Sequence, residues 1–291
     1  MISPSSFSLK KLLEKRGLQV PRLHIVLGSG LAPAFATSVP QGNYDSLAEI
    51  SFAEVEGLLP SSAPGHKGAF RIYRDRKSGK IFSFQVGRLH GYEGHAPTSV
   101  VQPLVQMALA GTPRFLLTNA SGSLRPEFRP GSLMIIEDHI NLTGQNPLYG
   151  PNPCDAQGRI YGPRFTDMSH AYDENMGTLL ERTLRASSLE VHRGIYLGVN
   201  GPTFETPAEV KLFSKWGLGA VGMSTVWENM AMNYLGRKVA GLSFISNLGC
   251  GLVSKNPLSH DEVEEEARRI APVLLKSLFD YASNLLLESD S

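Results

Sequence analysis

Short apolar runs closed by glycine, serine or asparagine alternate along this chain with stretches of helical period, and that alternation predicts an α/β fold. The run "RLHIVLGSG" at 22–30 reads as a buried strand ending in a glycine turn, and "RFLLTNASG" at 114–122 repeats the form, an apolar run followed by small residues. The segments "IFSFQVGRLH" (81–90), "SLMIIEDHI" (132–140), "GIYLGVNGP" (194–202) and "KVAGLSFISN" (238–247) leave their apolar runs through Arg, His or Asn. In an open or barrel-like α/β sheet, such strand ends converge on the ligand site. From His260 the period changes. Ile270, Leu274, Leu278, Tyr281 and Leu285 fall on one face of a long amphipathic helix, in which Pro272 predicts a kink. Residues 143–167 read as a long loop rich in proline and glycine, and with no internal repeat or linker the whole chain, 1–291, reads as one domain.

Two helix starts carry capping signatures. In "GPTFETPAEV" (201–210), Thr206 is the N-cap, Pro207 fills the first helical position and Glu209 closes a capping box, so Glu209 has a structural task. Glu205, one residue before the cap, has none and needs another partner. In "GMSTVWENM" (222–230), Thr225 and Glu228 form a second box and leave Met223 and Ser224 just outside it.

Charge narrows the partner. Lys plus Arg total 28 against 27 Asp plus Glu, which leaves no basic field for a nucleic-acid backbone or an anionic membrane and favours a small molecule. The two cysteines, Cys154 and Cys250, have neither metal-ligand nor disulfide spacing. Because the opening "MISPSSFSLKKLLEKRGLQV" lacks a sustained apolar run and no 18-residue apolar stretch is expected after it, the reading is a soluble cytoplasmic protein without signal peptide or membrane span.

Four places carry candidate chemistry. A strand followed by Gly28-Ser29-Gly30 invites a dinucleotide site, but the third glycine of that fingerprint falls on Pro33, and what survives is a turn whose N–H groups and Ser29 hydroxyl suit one anion. A plain structural turn fits as well. In "GRLHGYEGH" (87–95), extended backbone would put Arg88, His90 and Tyr92 on one side and Leu89 on the other, a cation, an imidazole and a phenol facing one space; an exposed polar strand end is the alternative. His66 and His95 read equally as loop histidines. "TNASGS" (118–123) offers close backbone approach to an oxyanion or a simple turn, while Met223 beside Ser224 suits a sugar face and an anion, or core filling.

Taken in order, "VLGSGLAP", "GRLHGYEGH", "TNASGSLRPEFRPGSLMIIEDHINLTGQNPL", "GPTFETPAE", "AVGMSTV" and "SFISN" resemble the trimeric purine nucleoside phosphorylases of the nucleoside phosphorylase superfamily, over most of the chain. The resemblance implies a single α/β domain with a mixed central sheet of barrel-like distortion flanked by helices, assembled as a homotrimer. It implies phosphorolysis of 6-oxopurine nucleosides such as inosine and guanosine to base and (deoxy)ribose 1-phosphate, with inorganic phosphate as co-substrate and neither cofactor nor metal. Position by position, Ser29, His66, Arg88, His90, the Ala120 backbone and Ser224 resemble the family's phosphate site. Tyr92, Met223 and His260 resemble its ribose contacts, and Phe204, Glu205 and Asn247 its purine contacts, with Asn247, Glu205 and His90 nearest the chemistry. Phe165 resembles the aromatic residue that each subunit lends to its neighbour.

The chain departs from that pattern in three places: Trp227 where the family usually has proline, "NASGS" for "NAAGG", and Ser246 for threonine. Two other functions are open to it. A methylthioadenosine phosphorylase of the same fold would be expected to carry a carboxylate at 247 and an apolar residue at 260, and a non-catalytic nucleoside-binding protein would be expected to lack a phosphate ligand.

Overall fold

The computed structural model describes residues 8–28, 31–35, 39–40, 42–60, 68–155, 157–250, 252 and 260–288; the side chains of 32, 33 and 260–264 lie outside it. The first strand, β1 (Leu23–Val26), is buried at every position because it lies in parallel between two others, and this is why its sequence is an unbroken apolar run. Those neighbours are β4 (Ile81–Val86) and β5 (Arg114–Ser123). Outside β4 lie β3 (Ala69–Asp75) and β2 (Tyr44–Ser51), both antiparallel.

On the other side the sheet closes on itself. β8 (Ala220–Gly222), β7 (Val191–Gly198), β6 (Leu133–Asn141) and β9 (Lys238–Leu248) follow β5 in that order, and β9 returns to pair with β5. The result is a mixed nine-stranded sheet whose last five strands form a barrel-like ring, with β5 at the junction of ring and open wing.

Helices cover both faces. Short α2 (Leu31–Phe35), α5 (Glu174–Ala186) and the long α8 (His260–Glu288) pack over a core that includes Phe35, Phe82, Phe84 and Phe279. On the other face, α1 (Ser8–Lys15) sets Leu9 and Leu13, one turn apart, against α4 (Gln102–Ala110), which follows the single turn α3 (Pro97–Val100); α7 (Val226–Tyr234) completes that layer. α6 (Pro207–Lys215) covers a third, smaller cluster around Leu197, Val210 and Phe213.

Helix α8 is continuous through Pro272. Two expectations change. The α8 segment Glu265–Glu288 is long and apolar enough to cross a membrane by length and composition, contrary to the reading of the bare sequence. Within the fold that apolar face is core: Leu274, Leu275, Leu278, Phe279 and Tyr281 are fully buried. "TNASGS" is no loop after a strand but the second half of β5, where β9 pairs along one side and β8 along the other.

Candidate active site

The cleft lies where β4 of the open wing and β5, β8 and β9 of the ring run out. About 690 Å³ of space, open to solvent, is lined by Arg88, His90, Tyr92, Ala120, Phe204, Glu205, Met223, Ser224 and Asn247, among others. Of the residues singled out in the sequence, these nine come together. Ser29, His66 and the side chain of His260 lie outside the described residues. Gly28, at the start of the glycine turn, donates its N–H to Thr118 Oγ1 at 2.9 Å, and that hydroxyl donates to the Val26 carbonyl, which clamps the end of β1 to β5.

Arg88 is only 4% exposed, and its guanidinium is held from three directions. Nε donates to Glu228 Oε1 at 2.9 Å, and Nη1 donates to the Thr118 carbonyl at 2.9 Å and to Ser224 Oγ at 3.4 Å. Nη2 is buried without a hydrogen-bond partner among the described residues. A buried unpaired donor is costly, more so on a cation, and an arriving anion removes that cost. The other oxygen of Glu228 accepts from the Thr225 N–H at 2.9 Å. One carboxylate thus starts α7 and aims Arg88.

Thr225 holds φ at +73°, a region that non-glycine residues occupy at a cost of about 1–3 kcal/mol. Its surroundings enforce it: besides the Glu228 contact, Thr225 Oγ1 accepts from Asn119 Nδ2 at 2.9 Å, and Asn119 Oδ1 accepts from the Ser243 hydroxyl at 2.8 Å. This bend turns the Ser224 hydroxyl toward the arginine. The Ser224 N–H makes a long 3.5 Å contact to the Tyr196 hydroxyl, whose pKa burial pushes up to about 12 with hydrogen bonding from Ser224 opposing.

His90 and Tyr92 reach the cleft by a route that strand alternation did not predict. β4 ends at Val86, His90 is still extended, and Gly91–Glu93 is a 3₁₀ turn that lays Tyr92 on His90, ring centroids 4.7 Å apart and 17° from parallel. Glu93 Oε1 accepts from the His90 backbone N–H at 2.9 Å and lies 3.0 Å from Nδ1. A carboxylate only accepts, so Nδ1 carries the proton. Partial burial raises the Tyr92 phenol, the Glu93 charge adding and the Arg88 charge opposing. His95 is no cleft residue; its Nε2 sits 3.8 Å from Glu93.

At the far end a bulge decides where Asn247 points. β5 and β9 pair Ser121 with Ile245 and then Gly122 with Asn247, so Ser246 is an extra residue that shifts the phase of β9. Ser246 Oγ donates to Asn247 Oδ1 at 2.8 Å, and Asn247 Nδ2 donates to the Leu248 carbonyl at 3.2 Å. A carbonyl cannot donate, so the amide is pinned with its NH₂ end toward Leu248 and keeps one N–H to give.

The loop opposite is shaped by Gly201, at φ +67°, where a Cβ would collide with the Met223 sulfur. The capping box after it forms as read: Thr206 Oγ1 accepts from the Glu209 N–H and Glu209 accepts from the Thr206 N–H. Glu205 is left facing the cleft, its pKa raised by burial and by the neighbouring Glu209 charge, against a hydrogen bond from its own backbone. Phe165 stands apart from the cleft and is 89% exposed. Among the described residues, no set of three or more His, Cys, Asp or Glu side chains is placed to hold a metal ion.

A family model for the phosphorylase superfamily matches residues 27–281. The chain belongs to that superfamily. Within the phosphorylase superfamily it is 37% identical to purine nucleoside phosphorylase 1 of Bacillus subtilis (strain 168) over 256 residues, 88% of this chain and 89% of that protein. It shares the enzyme class of such relatives, the pentosyltransferases. Its fold matches the Schistosoma mansoni purine nucleoside phosphorylase solved with inosine at a TM-score of 0.80 and 26% identity, covering 97% of this chain and 98% of that one. A Schistosoma mansoni purine nucleoside phosphorylase solved with adenosine matches at a TM-score of 0.78 and 28% identity, covering 96% of this chain and 97% of that one.

The bare sequence left Glu228, Glu93, Asn119 and Tyr196 without a role at the site. Glu228 and Glu93 carried a signal, each a glutamate three residues after a cap position, but the capping task hid the second one. Asn119 and Tyr196 carried none, because their partners are distant in the chain.

Proposed function

We propose that this chain is a purine nucleoside phosphorylase that acts on 6-oxopurine nucleosides, giving free base and (deoxy)ribose 1-phosphate. One observation carries the reading: a buried, oriented arginine with an unpaired N–H lines the same cleft as an oriented amide donor and a half-buried carboxylate. An anion subsite and a base-edge subsite therefore share one cleft.

The chemistry follows from charge. As the glycosidic bond breaks, its electron pair leaves with the purine, the sugar becomes cationic, and a phosphate dianion beside the anomeric carbon stabilises that cation and then bonds to it. No protein nucleophile is needed, and the residues act by positioning and electrostatics. Arg88, His90 and Ser224, with Ser29, His66 and the Ala120 backbone as the remaining ligands, hold the phosphate. Tyr92, Met223 and His260 face the ribose. Asn247 donates to the departing base and Glu205 accepts from it, while Phe204 stacks on its plane.

Hypoxanthine release from inosine, measured in chelator with and without inorganic phosphate, tests this. Release is expected only with phosphate and is expected to be indifferent to the chelator. Equal rates without phosphate would indicate a hydrolase and end the proposal.

The same reading makes the protein a homotrimer whose sites are completed across the interface. Phe165 (89% exposed), Tyr149 (91%) and Ile160 (60%) leave large apolar surfaces bare on one stretch of chain, and a second copy would cover them. Sedimentation is expected to give a trimer. A fully active monomer refutes this part.

A further inference from the structure

Trp227, the second residue of α7, is 7% exposed and fixed at both ends. Its indole N–H donates to Thr143 Oγ1 at 2.9 Å. The opposite edge of the ring lies against Gly91: a Cβ added there would sit 2.6 Å from Trp227 Cη2, 2.8 Å from Cζ3 and 2.5 Å from Asn200 Oδ1. Carbon atoms in contact stay about 3.5–4.0 Å apart. Only glycine lets the turn between His90 and Tyr92 rest on the indole.

The neighbours of this side chain matter as much as its contacts. Trp227 follows Ser224 and Thr225 by a few residues and precedes Glu228, the group that holds Arg88 Nε. It also bounds a second, smaller pocket with Leu89, Gly91, Ser224 and Glu228, which shares Met223 and Ser224 with the cleft. Neither Glu205 nor Asn247 lines that pocket. One side chain thus abuts the segments carrying His90, Ser224 and the partner of Arg88, and shares no pocket with Glu205 or Asn247.

We propose that Trp227 is a positioning residue for the anion half of the cleft, a wedge that sets the His90 turn against Ser224 and Arg88 and senses phosphate bound there. The proposal rests on the phosphate-dependent reading given above. It also gives a reason for a bulky aromatic at this position: the indole occupies the gap between the Thr143 turn and Gly91, which a five-membered ring could not span.

The test uses phosphate binding rather than turnover. Trp227→Phe removes the N–H and shortens the ring, Thr143→Val removes the acceptor, and Thr143→Ser restores the hydroxyl. By calorimetry, the Kd for inorganic phosphate is expected to rise about tenfold in Trp227→Phe and about threefold in Thr143→Val, the scale of one hydrogen bond, and to recover in Thr143→Ser. The Kd for hypoxanthine is expected to stay within about twofold, since its contacts are elsewhere.

Trp216 and Trp227 are the two tryptophans, and Trp216 is half exposed, so a Trp216→Phe protein reports Trp227 alone. Its emission is expected to change saturably with phosphate, at the calorimetric midpoint. An unchanged phosphate Kd in folded Trp227→Phe overturns the proposal, as does a parallel loss of phosphate and hypoxanthine affinity. Should Trp227→Phe fail to fold, an unchanged Kd in Thr143→Val overturns it. If the unaltered protein binds no phosphate, the proposed function falls first and this inference with it.

Discussion

Arg88→Met is expected to lower kcat/KM for inosine phosphorolysis by about 10³-fold, at the upper end of what one preorganised donor contributes, because the substitution removes the unpaired N–H and the anchored charge together. It is also expected to destabilise the protein. Glu228 is 1% exposed, and stripping a buried carboxylate of its cation typically costs about 3–5 kcal/mol. The two losses can be separated. In Arg88→Met with Glu228→Gln, the neutral side chain still accepts from the Thr225 N–H and leaves no charge stranded, so most of the stability returns while the activity does not. Thermal melts and steady-state rates on the two variants decide the matter. A single variant that keeps its rate, or a double variant no more stable than the single, contradicts the assignment of this pair.

Base choice is the second large effect. The protein is expected to prefer inosine and guanosine to adenosine by at least about 10²-fold in kcat/KM, the scale on which a hydrogen-bonding site rejects a mismatched group. A 6-oxopurine presents a carbonyl acceptor beside a ring N–H donor, and Asn247 and Glu205 offer the complementary donor and acceptor. Adenine reverses both. A free amide would simply flip, but the Leu248 carbonyl, which can only accept, holds this one, so both members of the pair resist adenine.

Each group left unpaired costs roughly 1–3 kcal/mol. Asn247→Asp is expected to narrow the ratio, since a protonated or water-bridged carboxylate can accept from the 6-amino group. The preference is also expected to depend on pH in a definite sense. Glu205 accepts from the ring N–H only when ionised, and its pKa is raised above the ordinary 4.5, so inosine kcat/KM falls as pH drops through the raised value while that of adenosine falls less. Comparable wild-type values for the two nucleosides would overturn the roles of both residues.

The parts of the site that were legible in sequence are those whose meaning is local. Thr206, Pro207 and Glu209 encode a helix start within four residues, and by assigning Glu209 they freed Glu205 for the cleft. The exit of β4 was legible as a cluster of Arg88, His90 and Tyr92, although the geometry that joins them is a 3₁₀ turn held by Glu93. What escaped was non-local. Nothing near Glu228 announces that it will meet an arginine 140 positions earlier. The strands β2 and β3 were missed because β2 alternates only loosely between buried and exposed positions, and the three-residue β8 is too short to show a period. In β5, Asn, Gly and Ser looked like a loop because their use there is close backbone approach, a property that periodicity does not record.

The closed ring also bears on solubility. Every described strand but β2 has partners on both sides, so an incoming β-segment has one open ladder on which to dock. That ladder is poorly suited to it. β2 carries a register irregularity between Ser46 and Ala48, and its Asp45 and Glu49 are engaged by Arg76 and Arg71. Bulges and charges on an edge strand are the usual defence against sheet-to-sheet association. The one open edge among the described strands is thereby protected, and substitutions that flatten or neutralise β2 are the ones that would invite fibrous growth.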